Sequence, residues 1–176
     1  MHFVFMGVSG SGKTTVAQQV AERLGLPFAE ADDFHPPANI DKMAAGIALT
    51  DHDRWPWLRE LAGWITEHDA RGDSTVMACS SLRRDYRDIL RQGAPEVYFL
   101  HLNGSPEVIW ERLEARKDHF MPPALLQSQF DTLEPLGSEE PGLELDVRED
   151  VETLLEQALE YVRRRLLEAK AQSVVD

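Results

Sequence analysis

A single cysteine, Cys79, stands in the whole chain of 176 residues. No internal disulfide can form, so the fold must rest on its own core, and the expected location is the reducing cytoplasm. Long apolar runs are missing too: nothing approaches the ~18 residues of a membrane span. The apolar start Met1-His2-Phe3-Val4-Phe5-Met6 is too short for a signal segment, has no basic stretch before it and runs straight into glycines. Neither membrane insertion nor secretion is expected. Positive charge is scarce: 18 Lys and Arg face 31 Asp and Glu, a formal net charge of −13. That excludes a broad nucleic-acid or anionic-membrane footprint. It leaves room for a small anion held by a few local cations. Internal repeats and low-complexity tracts are absent.

What is present suits one globular domain over residues 1–176, with 43% apolar and 28% charged residues. Apolar runs predict strands at His2–Met6, Pro27–Ala31, Thr75–Cys79, Val97–Leu102 and Leu143–Val147. Helical patterns cover Lys13–Leu24, Pro36–Ala45, Arg54–His68, Arg83–Arg91, Pro106–Arg116 and Glu149–Ala169. Strands alternating with helices imply an α/β fold with a parallel sheet covered on both faces. Pro135–Gly142 reads as a connecting loop. The basic, proline-interrupted stretch Lys117–Pro123 reads as a mobile lid, about residues 116–126.

Between the first strand and the first helix lies Gly7-Val8-Ser9-Gly10-Ser11-Gly12-Lys13-Thr14, which fits G-x-x-x-x-G-K-[ST]. The glycines let the backbone turn tightly and aim its N–H groups inward, and the next helix offers its positive end to phosphates. Lys13 can reach the β- and γ-phosphates, and the Thr14 hydroxyl can ligate Mg²⁺. A dinucleotide fingerprint begun at Gly10 fails, because position 15 is Thr15. A GTPase switch is disfavoured. N-K-x-D is absent, and the D-x-x-G match Asp69-Ala70-Arg71-Gly72 follows a helix where a strand is required. A small kinase remains, which needs an acid near the metal, an acceptor pocket and a basic lid.

Asp32 and Asp33 follow the second strand, where ligands gather in open α/β sheets, and Asp32 is the candidate for the inward position. A helix cap is the competing reading of this pair. His35-Pro36-Pro37 fixes an extended entry to a helix, with His35 either a donor to substrate or a packed loop residue. Asp51 or Asp53 is the candidate N-cap of the following helix, and Trp55 and Trp57 read as core anchors. Arg54 suits a carboxylate or a surface ion pair. Ser80 and Ser81 are candidate helix caps, and Cys79 is expected to pack in the sheet. Arg112, Arg116, Lys117 and His119 can serve a lid or merely a solvated helix end.

Together these residues resemble the gluconate kinase (gluconokinase) family of small P-loop kinases. The likeness runs from Phe3 to about Pro135. Its blocks are Gly7–Thr14, Asp32-Asp33-Phe34-His35-Pro36 with Asn39 and Lys42-Met43, and Leu49–Leu58. Others are Cys79–Leu82 with Tyr86-Arg87-Asp88, Arg112–Met121, and Gln129-Phe130 with Leu133-Glu134. The resemblance implies a five-stranded P-loop nucleoside-triphosphate-hydrolase fold with a lid, and a homodimer. It implies transfer of the ATP γ-phosphoryl group to the 6-hydroxyl of D-gluconate. Gly7, Ser9, Gly10, Ser11, Gly12, Lys13, Thr14 and Thr15 would hold ATP, Thr14 with Mg²⁺, and Asp32 would orient the attacking hydroxyl. His35, Lys42, Arg54 and Arg83 would grip the anionic polyol, with Arg112 or Arg116 at the adenine or the transition state. Ala31 replaces a glycine of some members, and Arg83 an expected lysine. Shikimate or nucleoside monophosphate kinases and a non-catalytic nucleotide-binding regulator are the competing readings.

Overall fold

The computed structural model describes residues 1–115 and 122–172. Arg116, Lys117, His119 and most of the expected lid lie outside the described residues. Five parallel strands form one sheet: β1 (His2–Met6), β2 (Phe28–Glu30), β3 (Thr75–Ala78), β4 (Val97–Asn103) and β5 (Gly142–Asp146), in the order β2-β3-β1-β4-β5. The helices are α1 (Lys13–Leu24), α2 (Pro37–Ala44), α3 (Asp51–Ala70), α4 (Arg84–Arg91), α5 (Pro106–Glu114), α6 (Pro123–Thr132) and α7 (Val151–Gln172).

The inner strands β1, β3 and β4 are mostly apolar because both faces of the sheet are buried there, while the edge strands β2 and β5 carry Glu30, Glu144 and Asp146. Side chains alternate across the sheet. Phe3, Phe5, Val76, Ala78, Leu100 and Leu102 pack toward α1 and α7. Val4, Met6, Met77, Cys79 and Phe99 pack toward Trp57, Leu58, Leu61 and Ile65 of α3 and Leu90 of α4. The Cys79 thiol is fully buried, which pushes its pKa up to about 12 and keeps it an unreactive thiol.

Three boundaries differ from the pattern-based expectation. Helix α3 starts at Asp51 because Thr50 is its cap; Asp53, an expected cap, sits at the third position and closes a reciprocal capping box with Thr50. Neither Ser80 nor Ser81 caps α4. Ser81 has φ 46°, and the first α4 amide, Arg84 N, donates to the Glu134 carboxylate at 2.7 Å, a cap supplied from far along the chain. The Pro122-Pro123 pair opens α6 instead of interrupting the chain, since the first helical position needs no N–H.

Candidate active site

The phosphate loop leaves β1, the central strand, and is stitched to its neighbour by Gly7 N donating to the Ser80 carbonyl at 3.2 Å. Two glycines are demanded by geometry. Gly10 has φ 83°, and a Cβ there would meet Leu113 at 2.6 Å; Gly7 has φ 145° and would meet the Leu102 carbonyl at 2.8 Å. Gly12, φ 90°, precedes α1, and no side chain caps that helix. Its first amides are left to an incoming anion.

An open cleft of about 340 Å³ begins at this loop, at the carboxyl ends of the strands. Ser9, Lys13, Asp32, His35, Arg54, Trp57 and Ser80 line it. Helix α6 forms a further wall through Pro122, Leu125, Ser128 and Gln129.

Asp32 sits in a 3-10 turn, Ala31–Phe34, whose start is held by Trp57 Nε1 donating to the Ala31 carbonyl at 2.7 Å. The carboxylate of Asp32 lies 3.8 Å from His35 Nε2. The His35 ring stacks on Trp57, centroids 4.1 Å apart. Trp57 is thus a core anchor that also aims both residues. Asn39 Nδ2 donates to the Asp53 carbonyl at 3.0 Å and approaches His35 Nδ1 at 3.2 Å. Nδ1 must therefore be the acceptor, and Nε2 carries the proton. Burial lowers the His35 pKa, so the ring is neutral at pH 7 with an N–H available to substrate oxygen.

The expected acceptor cations divide into two groups. Arg54 lines the cleft; its Nη1 donates to the Tyr86 hydroxyl at 3.1 Å and lies 3.7 Å from the Asp51 carboxylate, a longer pair than those of the other two cations. Tyr86 in turn donates to Asp51, and burial followed by that bond pushes its pKa up to about 12. Arg83 does not line the cleft; it is held by Asp51 at 2.9 Å and Asp85 at 2.6 Å. Lys42 pairs with Asp53 at 2.7 Å, and this contact with the Thr50 bonds keeps Asp53 well below the usual carboxylate range. Among the described residues, Lys13 and Arg54 are the full cations on the cleft lining.

Thr14 Oγ1 donates to Glu30 Oε2 at 2.7 Å, a residue that sequence reasoning passed over. The other Glu30 oxygen is buried without a hydrogen-bond partner, and burial raises the group's pKa. An acid at the last position of β2, two before Asp32, was the available signal. Because the Thr14 hydroxyl gives its proton to Glu30, its lone pairs are free to accept or to ligate. Thr14, Glu30 and Asp32 make an all-oxygen donor set that suits a hard divalent cation keeping most of its waters. Thr15 is exposed. Arg112 Nη1 donates to the Ser11 carbonyl at 3.3 Å and Nη2 to the Glu149 carbonyl at 3.4 Å, beside Gly12 on the loop's far flank. Gln129 was also not singled out as a site residue; its Oε1 accepts from Ser9 N at 2.6 Å.

This arrangement has close counterparts. A family model described as an AAA domain matches residues 3–136. The thermosensitive gluconokinase of Escherichia coli K12 is 44% identical over 99% of this chain and 95% of its own length. A crystal structure of an unliganded sugar kinase from Janibacter sp. HTCC2649 is 56% identical with TM-score 0.88, covering 92% of this chain and 94% of that one. The gluconokinase of Sinorhizobium meliloti 1021 superposes with TM-score 0.86 at 44% identity, over 98% of this chain and 97% of that one. With 44% identity to both gluconokinases over nearly the whole length, the chain belongs to the gluconokinase family of P-loop kinases.

Proposed function

We propose that this chain transfers the γ-phosphoryl group of ATP to the 6-hydroxyl of D-gluconate, releasing ADP and 6-phospho-D-gluconate. The observation that carries the reading is the cleft. Its lining brings together Ser9 and Lys13 of the phosphate loop, Asp32, and the Arg54 guanidinium with the Nε2–H of His35. The loop amides and Lys13 hold the phosphates, the guanidinium grips the acceptor carboxylate, and Asp32 orients the attacking hydroxyl. Thr14, Glu30 and Asp32 would hold Mg²⁺, which supplies charge neutralisation for the phosphates when bound. Arg112, on the nucleotide flank, is positioned to meet the base or ribose; Lys42 and Arg83 shape the acceptor wall through their paired acids rather than as free cations. A cytoplasmic homodimer completes the reading, and sedimentation tests the dimer.

Coupled ADP release tests the reaction. D-gluconate should give turnover, while shikimate and nucleoside monophosphates should not; the reverse pattern overturns the assignment. In the same assay Arg54→Ala should raise KM for gluconate about tenfold or more, as expected for a lost charge-assisted bond, with KM for ATP little changed. Equal effects on both substrates would make Arg54 structural. Asp32→Asn should lower kcat about a hundredfold or more while nucleotide binding by titration persists. An unchanged kcat would remove Asp32 from the chemistry.

A further inference from the structure

Helix α6 spans two parts of the site that the chain otherwise keeps apart. Its residues Leu125, Ser128 and Gln129, with the preceding Pro122, line the cleft, while Leu126 is buried and Phe130 and the following Leu133 pack against the core. Its C-terminal end is bolted to the acceptor wall. Glu134 N donates to the Leu82 carbonyl at 2.7 Å, and the Glu134 carboxylate accepts from Arg84 N. Midway along, Gln129 Oε1 accepts from the Ser9 amide at 2.6 Å. A backbone N–H can only donate, so the carboxamide orientation is decided: oxygen on the loop, NH₂ turned away from it. The NH₂ group makes no hydrogen bond to a described residue, and Gln129 lines the cleft. Ser9 also lines the acceptor cleft, whereas Ser11 and Gly12 lie against Arg112. The amide held by Gln129 thus belongs to the part of the loop that lines the cleft, not to the part beside Arg112.

We infer that Gln129 is a positioning residue for the acceptor, releasing the Ser9 amide to the triphosphate and turning its carboxamide to the acceptor's hydroxyls. This rests on the proposed gluconate kinase reading. A phosphate oxygen is the stronger acceptor for Ser9 N–H, because the bond is charge-assisted. Displaced from the loop, the carboxamide offers both a donor and an acceptor to a polyol chain, which presents both in turn. Hydroxyl-bearing acceptors then bind best after the nucleotide, and by linkage the acceptor tightens the nucleotide by the same factor.

The experiment measures Kd for D-gluconate by calorimetry, with and without Mg²⁺ and a non-hydrolysable ATP analogue, for the full chain and for Gln129→Leu and Gln129→Glu. Steady-state turnover and thermal melting accompany it. The analogue should tighten gluconate about tenfold in the unaltered protein. Gln129→Leu should bring that factor to within about twofold of unity, and by the same linkage KM for gluconate and KM for ATP, each taken with the other substrate saturating, should rise by similar factors. Gln129→Glu retains an acceptor for Ser9 but loses the donor, so it should also lose the coupling while melting normally. Full coupling in either folded variant overturns the inference, as does weaker binding of the analogue alone, in the absence of gluconate. Absence of gluconate turnover in the unaltered protein would instead overturn the parent reading, and the two failures are thereby distinguished.

Discussion

Lys13→Ala should cut turnover by at least about a hundredfold to a thousandfold and leave the fold intact. The size follows from removing a preorganised positive group from the phosphates, where charge is redistributed in the transition state. The fold survives because α1 is held by Val16, Ala17, Val20 and Ala21, all buried, and Lys13 is not among them. As the first helical residue it also has no interior role in the helix. The measurement is kcat by coupled ADP release beside a thermal melt. An unaltered melt with lost turnover assigns Lys13 to the chemistry. Retained turnover would place the phosphates elsewhere than the loop.

Arg87→Leu should be the most damaging change outside the chemistry. The guanidinium is fully buried and makes charge-assisted bonds to Glu140 at 2.9 and 2.7 Å. It also donates to the carbonyls of Ser81, Glu134 and Pro135. Removing it strands a buried carboxylate, with Arg91 as its remaining cation, and a loss of about 3–5 kcal/mol is expected. For a chain of this size that lowers Tm by about 6–20 °C. The double variant Arg87→Leu with Glu140→Leu should recover part of the loss, since no charge is then stranded. No recovery would show that the carbonyl contacts, not the ion pair, carry the stability. Turnover should fall as well, because the same guanidinium ties the acceptor wall at Ser81 and Leu82 to the end of α6.

The pair also has a pH signature. Burial alone would raise the Glu140 pKa, but bonds from Arg87, the Gly137 amide and Arg91 outweigh it and bring it from 4.5 to about 2. A carboxylate depressed in the folded state binds fewer protons than in the unfolded chain. Its contribution is therefore complete above about pH 4.5 and is lost as pH falls toward 2. The Arg87→Leu variant should show a weaker Tm decline across that acid window.

The strands, six of the helices and the phosphate loop were legible in the chain because each rests on local information. A strand buried on both faces must be mostly apolar, as His2–Met6 and Thr75–Ala78 are, with His2 and Thr75 hydrogen-bonding each other. The loop compresses its geometry into eight consecutive residues. Helix α6 was not legible, since its opening prolines read equally as a break. Gln129 belonged to a family-like block but carried no sign of its role, its partner lying 120 positions away. Glu30 had a partial one, an acid closing a strand beside Asp32.

The charges divide the two levels most clearly. From sequence, Lys42, Arg54, Arg83 and Arg87 are equivalent cations, and their number limits the ligand to something small. Folding makes them different. Arg54 reaches the cleft, Lys42 and Arg83 are taken up by Asp53 and Asp51, and Arg87 disappears into the interior with Glu140. Sequence alone determined the alternating sheet and the phosphate-binding turn, because backbone freedom and hydrophobic period act between near neighbours. Which cation faces an acceptor was decided only by the tertiary structure. Ion pairs and hydrogen bonds act at about 3 Å through space, between groups that the chain separates by tens of residues.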